Sequence, residues 1–268
     1  MTKIGIVGCH GRMGQMLVRE VLSSTTARLT GGTEREGSSA VGRDLGEMVG
    51  APALGLLVGT DPAALFASAD AVIDFTAPDA VEAHAALAAA NRTAYVLGTT
   101  GLNAGQEAAL RKATGETAVM WAPNMSVGVT LLLSLVEQVA AVLEAETYDA
   151  EVVEMHHRHK LDSPSGTALG LGRAIAAGRG IALDQVWTKA RDGQVGPRRS
   201  GEIGFATLRG GDVVGDHQVI FAADGERLEL GHRASSRQVF AKGAVRAALW
   251  ASRQPPGLYS MRDVLGLG

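Results

Sequence analysis

The chain has 268 residues, 46% of them apolar, and a formal net charge of −3. That length allows two modest domains, the apolar share excludes a disordered chain, and the slight acidity provides no basic field for nucleic acid. A single cysteine, Cys9, excludes an intramolecular disulfide framework and any cysteine-based zinc cluster.

Strand-like and helix-like patterns alternate through the first 125 residues. Residues 4–8 read as a buried strand, and 12–23 as a helix with Met13, Met16, Leu17 and Val21 on one side. Residues 28–33 form a weaker second strand and 71–75 a strong central one, followed by a Pro78-led, alanine-rich helix to about Ala90. Two more strands, 94–97 and 118–121, flank a helix at 104–114. Repeated units of this kind predict a Rossmann-like, doubly wound parallel sheet.

The texture then changes. A long helix is expected over 126–146, a strand over 149–156, a helix over 167–177 and a Gly/Arg-rich loop to Ser200. Strands at 203–208, 212–221 and 226–232 are joined at Gly210-Gly211 and Asp224-Gly225, turns that favour antiparallel pairing. A closing helix over 236–252 and a short tail complete the chain. The expected organisation is α/β: one domain over 1–125 plus 237–268, and a smaller α+β domain with a mixed or antiparallel sheet over 126–236. No leader pattern precedes the first strand, and the apolar stretch 127–136 is too short and too polar for a membrane span. A soluble cytoplasmic protein is expected.

Gly8-Cys9-His10-Gly11-Arg12-Met13-Gly14 lies between the first strand and the first helix. Glycines there permit a tight turn and let backbone N–H groups approach a pyrophosphate at the helix N-terminus. The spacing is Gly-x-x-Gly-x-x-Gly, so a plain glycine turn is the alternative. Glu34 lies twenty residues beyond Gly14, where an acid can accept both ribose hydroxyls of an adenosine, and Arg35 beside it suits a 2′-phosphate. The pair predicts use of both NADH and NADPH; a solvated loop pair is the alternative. Asp74-Phe75-Thr76, Gly98-Thr99-Thr100-Gly101 and Ala122-Pro123-Asn124-Met125-Ser126 each follow a strand at the sheet edge where such folds bind ligands, and Asn124 is placed to meet a nicotinamide amide.

The densest chemistry is in Glu154-Met155-His156-His157-Arg158-His159-Lys160-Leu161-Asp162-Ser163-Pro164-Ser165-Gly166-Thr167-Ala168, which holds three of the chain's seven histidines. On a strand His156 and His157 point to opposite faces, so joint chelation is disfavoured and no metal is expected. Histidine is the side chain best suited to donating a proton near neutrality, and Lys160 adds a compact positive charge. Ser165-Gly166-Thr167 after Pro164 reads as a helix N-terminus fit for a carboxylate. Solvated histidines ahead of a capped helix are the alternative.

These segments resemble the 4-hydroxy-tetrahydrodipicolinate reductases (dihydrodipicolinate reductases) of lysine biosynthesis. The resemblance rests above all on the Glu154-to-Ala168 segment, with Gly201-Glu202-Ile203-Gly204-Phe205-Ala206-Thr207-Leu208-Arg209, His232-Arg233-Ala234-Ser235-Ser236-Arg237 and the upstream loops in order along nearly the whole chain. It implies that His156 is the catalytic proton donor and Lys160 its cationic partner, and that His157, Gly166 and Thr167, with Ser165 in the same helix start, hold the carboxylates of a cyclic substrate. It also implies that Gly8, Cys9, His10, Gly11, Arg12 and Met13, Glu34 and Arg35, Gly98, Thr99 and Thr100, and Ala122, Pro123, Asn124 and Met125 line the nicotinamide cofactor. A cytoplasmic homotetramer assembled through the sheets of the second domain is implied as well. Cys9-His10 and Met125 depart from residues common in that family. A non-catalytic NAD(P)-binding sensor and an amino-acid dehydrogenase on a similar plan are the competing readings; neither accounts for the full histidine-to-threonine array.

Overall fold

Apolar residues on both faces of the early strands demand a sheet that is covered on both sides. The protein's computed structural model, which describes residues 1–267, divides into two units, Met1–Val127 with Gln238–Gly268, and Gly128–Arg237. In the first unit β1 (Thr2–Val7), β2 (Ala27–Thr33), β3 (Ala71–Asp74), β4 (Ala94–Leu97), β5 (Ala118–Trp121) and a short C-terminal strand, Gly257–Tyr259, form one parallel sheet. From the C-terminal strand inward the order is β5, β4, β3, β1, β2. Because β2 lies on one side of β1 and β3 on the other, the loops after β1 and β3 part and leave a crevice at the strands' carboxyl ends.

Alternation assigns the side chains to two cores. Ile4, Ile6, Ile73, Val96 and Met120 pack with α1 (Arg12–Ser23), the short α2 (Leu45–Met48) and the closing helix Gln238–Ala251. Val7, Val72, Tyr95, Leu97 and Val119 pack with α3 (Pro62–Ser68), α4 (Val81–Asn91) and α5 (Ala104–Ala113). Asp61 caps α3 ahead of Pro62, and a reciprocal Asn103/Gln106 capping box starts α5. The helix expected from Pro78 begins instead as a 3₁₀ turn over Pro78–Ala80.

The second unit carries α6, which runs from Val127 to Val142, then β6 (Asp149–His156), α7 (Gly166–Gly178), α8 (Leu183–Val186), β7 (Trp187–Thr188), β8 (Ile203–Arg209), β9 (Gly215–Ala223) and β10 (Glu226–Ala234). Its sheet runs β10, β9, β6, β8, β7. Ala150 and Val152 of β6, Phe205 of β8 and Phe221 of β9 bury one face against α6 and α7. Asp224-Gly225 makes the expected hairpin between β9 and β10, with Gly225 at φ 89°.

The turn at Gly210-Gly211 does not act that way. β8 and β9 flank β6, the first parallel to it and the second antiparallel. The connecting loop bonds to the histidine segment: Gly210 N–H donates to the His156 carbonyl, and the His157 and Arg158 N–H groups donate to the Val213 and Gly211 carbonyls. A loop spent on a third segment cannot close a two-residue hairpin. The C-terminal tail also differs from expectation. After the closing helix, α9 (Gln238–Ala251), it adds β11 (Gly257–Tyr259) to the sheet edge and a capped helix, α10 (Met261–Leu265).

Gly243 of α9 lies so close to the Met125 carbonyl that an added Cβ would stand 1.7 Å from its oxygen. Gly243→Ala is therefore expected to lower stability by about 2 kcal/mol or more, as backbone must move. Gly115→Ala, whose Cβ would meet the Lys112 carbonyl at an ordinary 3.6 Å, should stay within about 1 kcal/mol of the parent in the same urea-unfolding measurement.

Candidate active site

At the carboxyl end of β1 the glycine turn is held from within. The N–H groups of Gly8 and Cys9 donate to the Thr33 carbonyl, that of Gly11 donates to the Gly8 carbonyl, and that of His10 donates to Glu34 Oε1 at 2.8 Å. Gly8 has φ 67°, and a Cβ at Gly14 would stand 2.1 Å from the Gly8 carbonyl oxygen, so neither position accepts a side chain. Cys9 is fully buried, and burial followed by the Glu34 carboxylate pushes its thiol up to about 12. Cys9, His10 and Gly11 thus shape the turn through their backbones. The N–H groups of Arg12 and Met13 belong to the opening turn of α1, where the helix ladder provides no acceptor.

Beside this turn lies a cavity of about 340 Å³ bounded by Gly8, Glu34, Arg35, Thr76, Asp79 and His84, among others. Behind it, Asp74 is wholly buried at the end of β3. Its carboxylate accepts from His84 Nδ1 at 2.7 Å, the Tyr95 hydroxyl at 2.6 Å, and the Thr76 hydroxyl and N–H at 2.7 and 2.8 Å. Burial opposes ionisation, but these bonds, His84 foremost, outweigh it and hold the carboxyl below its usual range.

The loops after β4 and β5 reach the same sheet edge. A Cβ at Gly98 would collide with the Phe75 ring, at 2.3 Å. Thr99 is 5% exposed, and its hydroxyl has no hydrogen-bond partner among the described residues. Thr100 and Pro123 are exposed, Asn124 Oδ1 accepts from Ser126 N–H, and the Met125 side chain is buried in the core, as is Ala122. An orphaned buried hydroxyl and a glycine turn that excludes side chains both fit a dinucleotide at this edge.

In the second unit the pleat of β6 directs Glu154 and His156 to the buried face. Glu154 is 1% exposed. Its carboxylate accepts from His156 Nδ1, from Arg209 Nη1 and Nη2 at 3.0 and 3.1 Å, and from the Ser165 N–H at 3.0 Å. Burial raises its pKa, yet the bonds from His156, Arg209 and Ser165 outweigh that and bring it down to about 2. The His217 ring lies edge-on to His156 with centroids 5.0 Å apart, and its Nε2 is 3.2 Å from Ser165 Oγ. Burial, then the neighbouring His156, lowers His217 to about 4.

Lys160 Nζ pairs with Asp162 Oδ1 at 2.8 Å, and the Asp162 carbonyl accepts from Arg209 Nη2 at 2.7 Å. His157 is half-buried; desolvation, then the charge of Arg237, lowers its pKa from the ordinary value. Ser165 caps α7, accepting from Ala168 N–H, while its own N–H is spent on Glu154. The polar groups of Ser165 are thus engaged within the protein, at the start of the helix that carries Gly166 and Thr167. Gly166 and Thr167 form the opening turn of α7, and a Cβ at Gly166 would meet nothing within 4 Å, so the space over it is open.

Glu154, His156 and His217 bring potential metal-ligand atoms within 4.8 Å of one another. Both Glu154 oxygens are engaged by Arg209 and other donors, and His156 Nδ1 faces one of them, so this donor set is already committed to hydrogen bonds. Glu154, Arg209 and His217 are functional-site residues that the sequence motifs do not single out. The i, i+2 spacing on a strand would have placed Glu154 beside His156. His217 comes from β9 and only the register Glu154↔His217 brings it there.

A glycine turn at a topological switch point, closed by an acid at the end of the second strand, is the arrangement of nicotinamide-dependent oxidoreductases. Comparison with known proteins narrows the class. The description "Dihydrodipicolinate reductase, N-terminus" matches residues 2–125, and "Dihydrodipicolinate reductase, C-terminus" matches 128–265. The 4-hydroxy-tetrahydrodipicolinate reductases of Ruegeria pomeroyi and Dinoroseobacter shibae are 56% and 53% identical over 264 residues, covering 98% of each chain. A dipicolinate-bound dihydrodipicolinate reductase from Paenisporosarcina sp. TG-14 shares the fold, with a TM-score of 0.77 at 24% identity over 98% of both chains. The chain belongs to the dihydrodipicolinate reductase family, NAD(P)H-dependent oxidoreductases of lysine and diaminopimelate biosynthesis. No helix among the described residues is long and apolar enough to cross a membrane.

The low pKa of His217 has a consequence for stability. Between the ordinary 6.5 and about 4 the unfolded chain binds a proton that the folded chain refuses, so stability falls as pH falls through that window, by on the order of 3 kcal/mol. In urea-unfolding midpoints measured from pH 7 to pH 4, His217→Gln should lose distinctly less than the parent over the same window.

Proposed function

We propose that the chain reduces 4-hydroxy-tetrahydrodipicolinate to tetrahydrodipicolinate, with His156 as proton donor, Lys160 as its cationic partner, and His157, Gly166 and Thr167 holding the substrate carboxylates. The observation that carries this reading is that one buried carboxylate, Glu154, bonds His156 and the α7 N-cap directly and, through Arg209 and the Asp162 carbonyl, the loop that carries Lys160. A cyclic dicarboxylate suits that surface, because the open space over Gly166 faces a helix N-terminus, which favours an anion. The dipicolinate named with the Paenisporosarcina enzyme is such a dicarboxylate. Lys160 would exchange its exposed Asp162 partner for a substrate carboxylate.

The first unit is read as the dinucleotide-binding domain and the second as the substrate and oligomerisation domain. Arg12 and Met13 N–H groups would meet the pyrophosphate, Glu34 the adenosine ribose and Arg35 a 2′-phosphate. Gly98, Thr99, Thr100 and the Ala122-to-Met125 backbone would line the nicotinamide end. Bound NADH or NADPH supplies the hydride. Loss of the substrate hydroxyl as water leaves a conjugated imine; His156 supplies the proton that accompanies hydride addition, while Lys160 and the α7 N-terminus offset the substrate's negative charge. The reading includes a homotetramer in the cytoplasm. The open sheet face of the second unit, which carries Val153, Met155, Leu208 and Gln218, is the surface it would use.

His156→Ala and Lys160→Ala are each expected to cut kcat by ~10²-fold or more with the fold retained, followed as NAD(P)H oxidation with freshly generated substrate. Near-parental turnover in both would sink the assigned roles. Thr99→Val removes the orphaned hydroxyl. It should leave the ligand-free protein equally stable or up to about 1 kcal/mol more so, and weaken NADH binding measured by calorimetry. Unchanged binding would take Thr99 out of the cofactor site.

A further inference from the structure

We infer that Glu154 is a positioning residue for the reduction: it holds His156 by Nδ1, fixes the ring's tautomer and leaves Nε2 as the atom that delivers the proton. The inference rests on the reading of His156 as proton donor. A carboxylate held down to about 2 is ionised throughout the working range and can only accept, so the proton between Glu154 and His156 belongs to Nδ1. With Nδ1–H committed, the second nitrogen is the one left to gain and lose a proton.

The ring has little freedom to do otherwise. His156 is 8% exposed, the His217 ring closes on it edge-on, and a Cβ at Gly215 would stand 3.0 Å from Nε2. Glycine at that position therefore keeps room beside the reacting nitrogen. The carboxylate is fixed as firmly as the ring. Arg209 grips both its oxygens, and the same guanidinium bonds the Asp162 carbonyl, in the loop that carries Lys160. Glu154 also holds the N–H of Ser165, the cap of α7. One buried acid thus sets the proton donor, the Lys160 loop and the start of the carboxylate-binding helix in a common frame. Like charges or loose donors would not do this; a bidentate arginine does.

A merely structural anchor would behave differently from a positioning residue. Glu154→Gln keeps the side-chain shape and can still accept from Ser165 N–H, but it offers His156 an amide. It is expected to lower kcat by ~10²-fold while substrate KM stays within about 3-fold. In protein labelled with ¹⁵N-histidine, the neutral His156 signal, identified by its loss in His156→Ala, should carry the Nδ1–H signature in the parent and lose it in Glu154→Gln. Arg209→Lys keeps Glu154 and the charge but loses the bidentate grip that holds the carboxylate against Nδ1, so it should show a smaller kcat loss and a mixed tautomer signature. It carries the test if Glu154→Gln does not fold. Parental kcat and an unchanged Nδ1–H signature in Glu154→Gln, or in Arg209→Lys where the first is unfolded, would overturn the inference; so would a loss confined to KM. Full activity of His156→Ala would instead overturn the proton-donor reading itself, whatever Glu154 does.

Discussion

An ionised carboxylate buried at 1% exposure is the constraint around which the second unit is organised. Taking such a charge out of water costs several kcal/mol unless donors surround it. Glu154 has four, and they come from three parts of the chain: His156 two residues on, Ser165 at the start of α7, and Arg209 at the end of β8. Only a parallel β6–β8 pairing with His156 opposite Arg209 brings the guanidinium within reach on the buried face. A slip of one residue would turn Arg209 to the other side of the sheet and leave the carboxylate uncompensated. The need to satisfy Glu154 therefore specifies the register, and the register determines which loop crosses the histidine segment.

The first unit meets the same problem at the end of β3. Asp74 is wholly buried, and it too is surrounded, by Tyr95 from β4, His84 from α4 and Thr76 from its own loop. Each sheet thus ends in a depressed carboxylate that grips a histidine by Nδ1. The outcomes differ because the surroundings differ. His84 borders the cavity that Glu34 and Arg35 share, where a fixed ring contributes shape and a hydrogen bond. His156 is held instead by the carboxylate that also bonds Arg209 and the cap of α7, with the His217 ring edge-on to it.

Much of the molecule was legible in the order of residues. Apolar runs at 71–75, 94–97 and 118–121 demanded a sheet covered on both faces, and caps such as Ser165 marked helix starts by local chemistry alone. The misjudged parts are those that local chemistry does not encode. Gly210-Gly211 has the residues of a hairpin turn, but the partners of its loop lie some fifty positions upstream, in the His156 to Arg158 stretch. β11 is three residues long behind two prolines, too short for any period to show. At the site, the histidines and Lys160 stood out because their chemistry is rare. Glu154 lay in the same segment and on the same strand face as His156, yet its role depends on Arg209, which no spacing rule connects to it.

The starts of α1 and α7 also share a logic. In the nucleotide turn, Gly8, Cys9, His10 and Gly11 spend their N–H groups on Thr33, Glu34 and one another; at α7, Ser165 spends its N–H on Glu154 and its hydroxyl on the cap. Each turn is thereby held by the amides just before the helix, ahead of the first helical positions, Arg12 and Met13 in one unit, Gly166 and Thr167 in the other. Donors fixed in advance lose little freedom when a ligand arrives, so more of each hydrogen bond counts toward binding. The glycines follow from the same requirement. At Gly14 a side chain would strike the turn's own carbonyl, and at Gly166 it would enter space that is open. In both units an acid orders the turn, Glu34 through His10 and Glu154 through Ser165. Negative charge set behind the donors is thus the means by which each unit aims positive N–H groups outward.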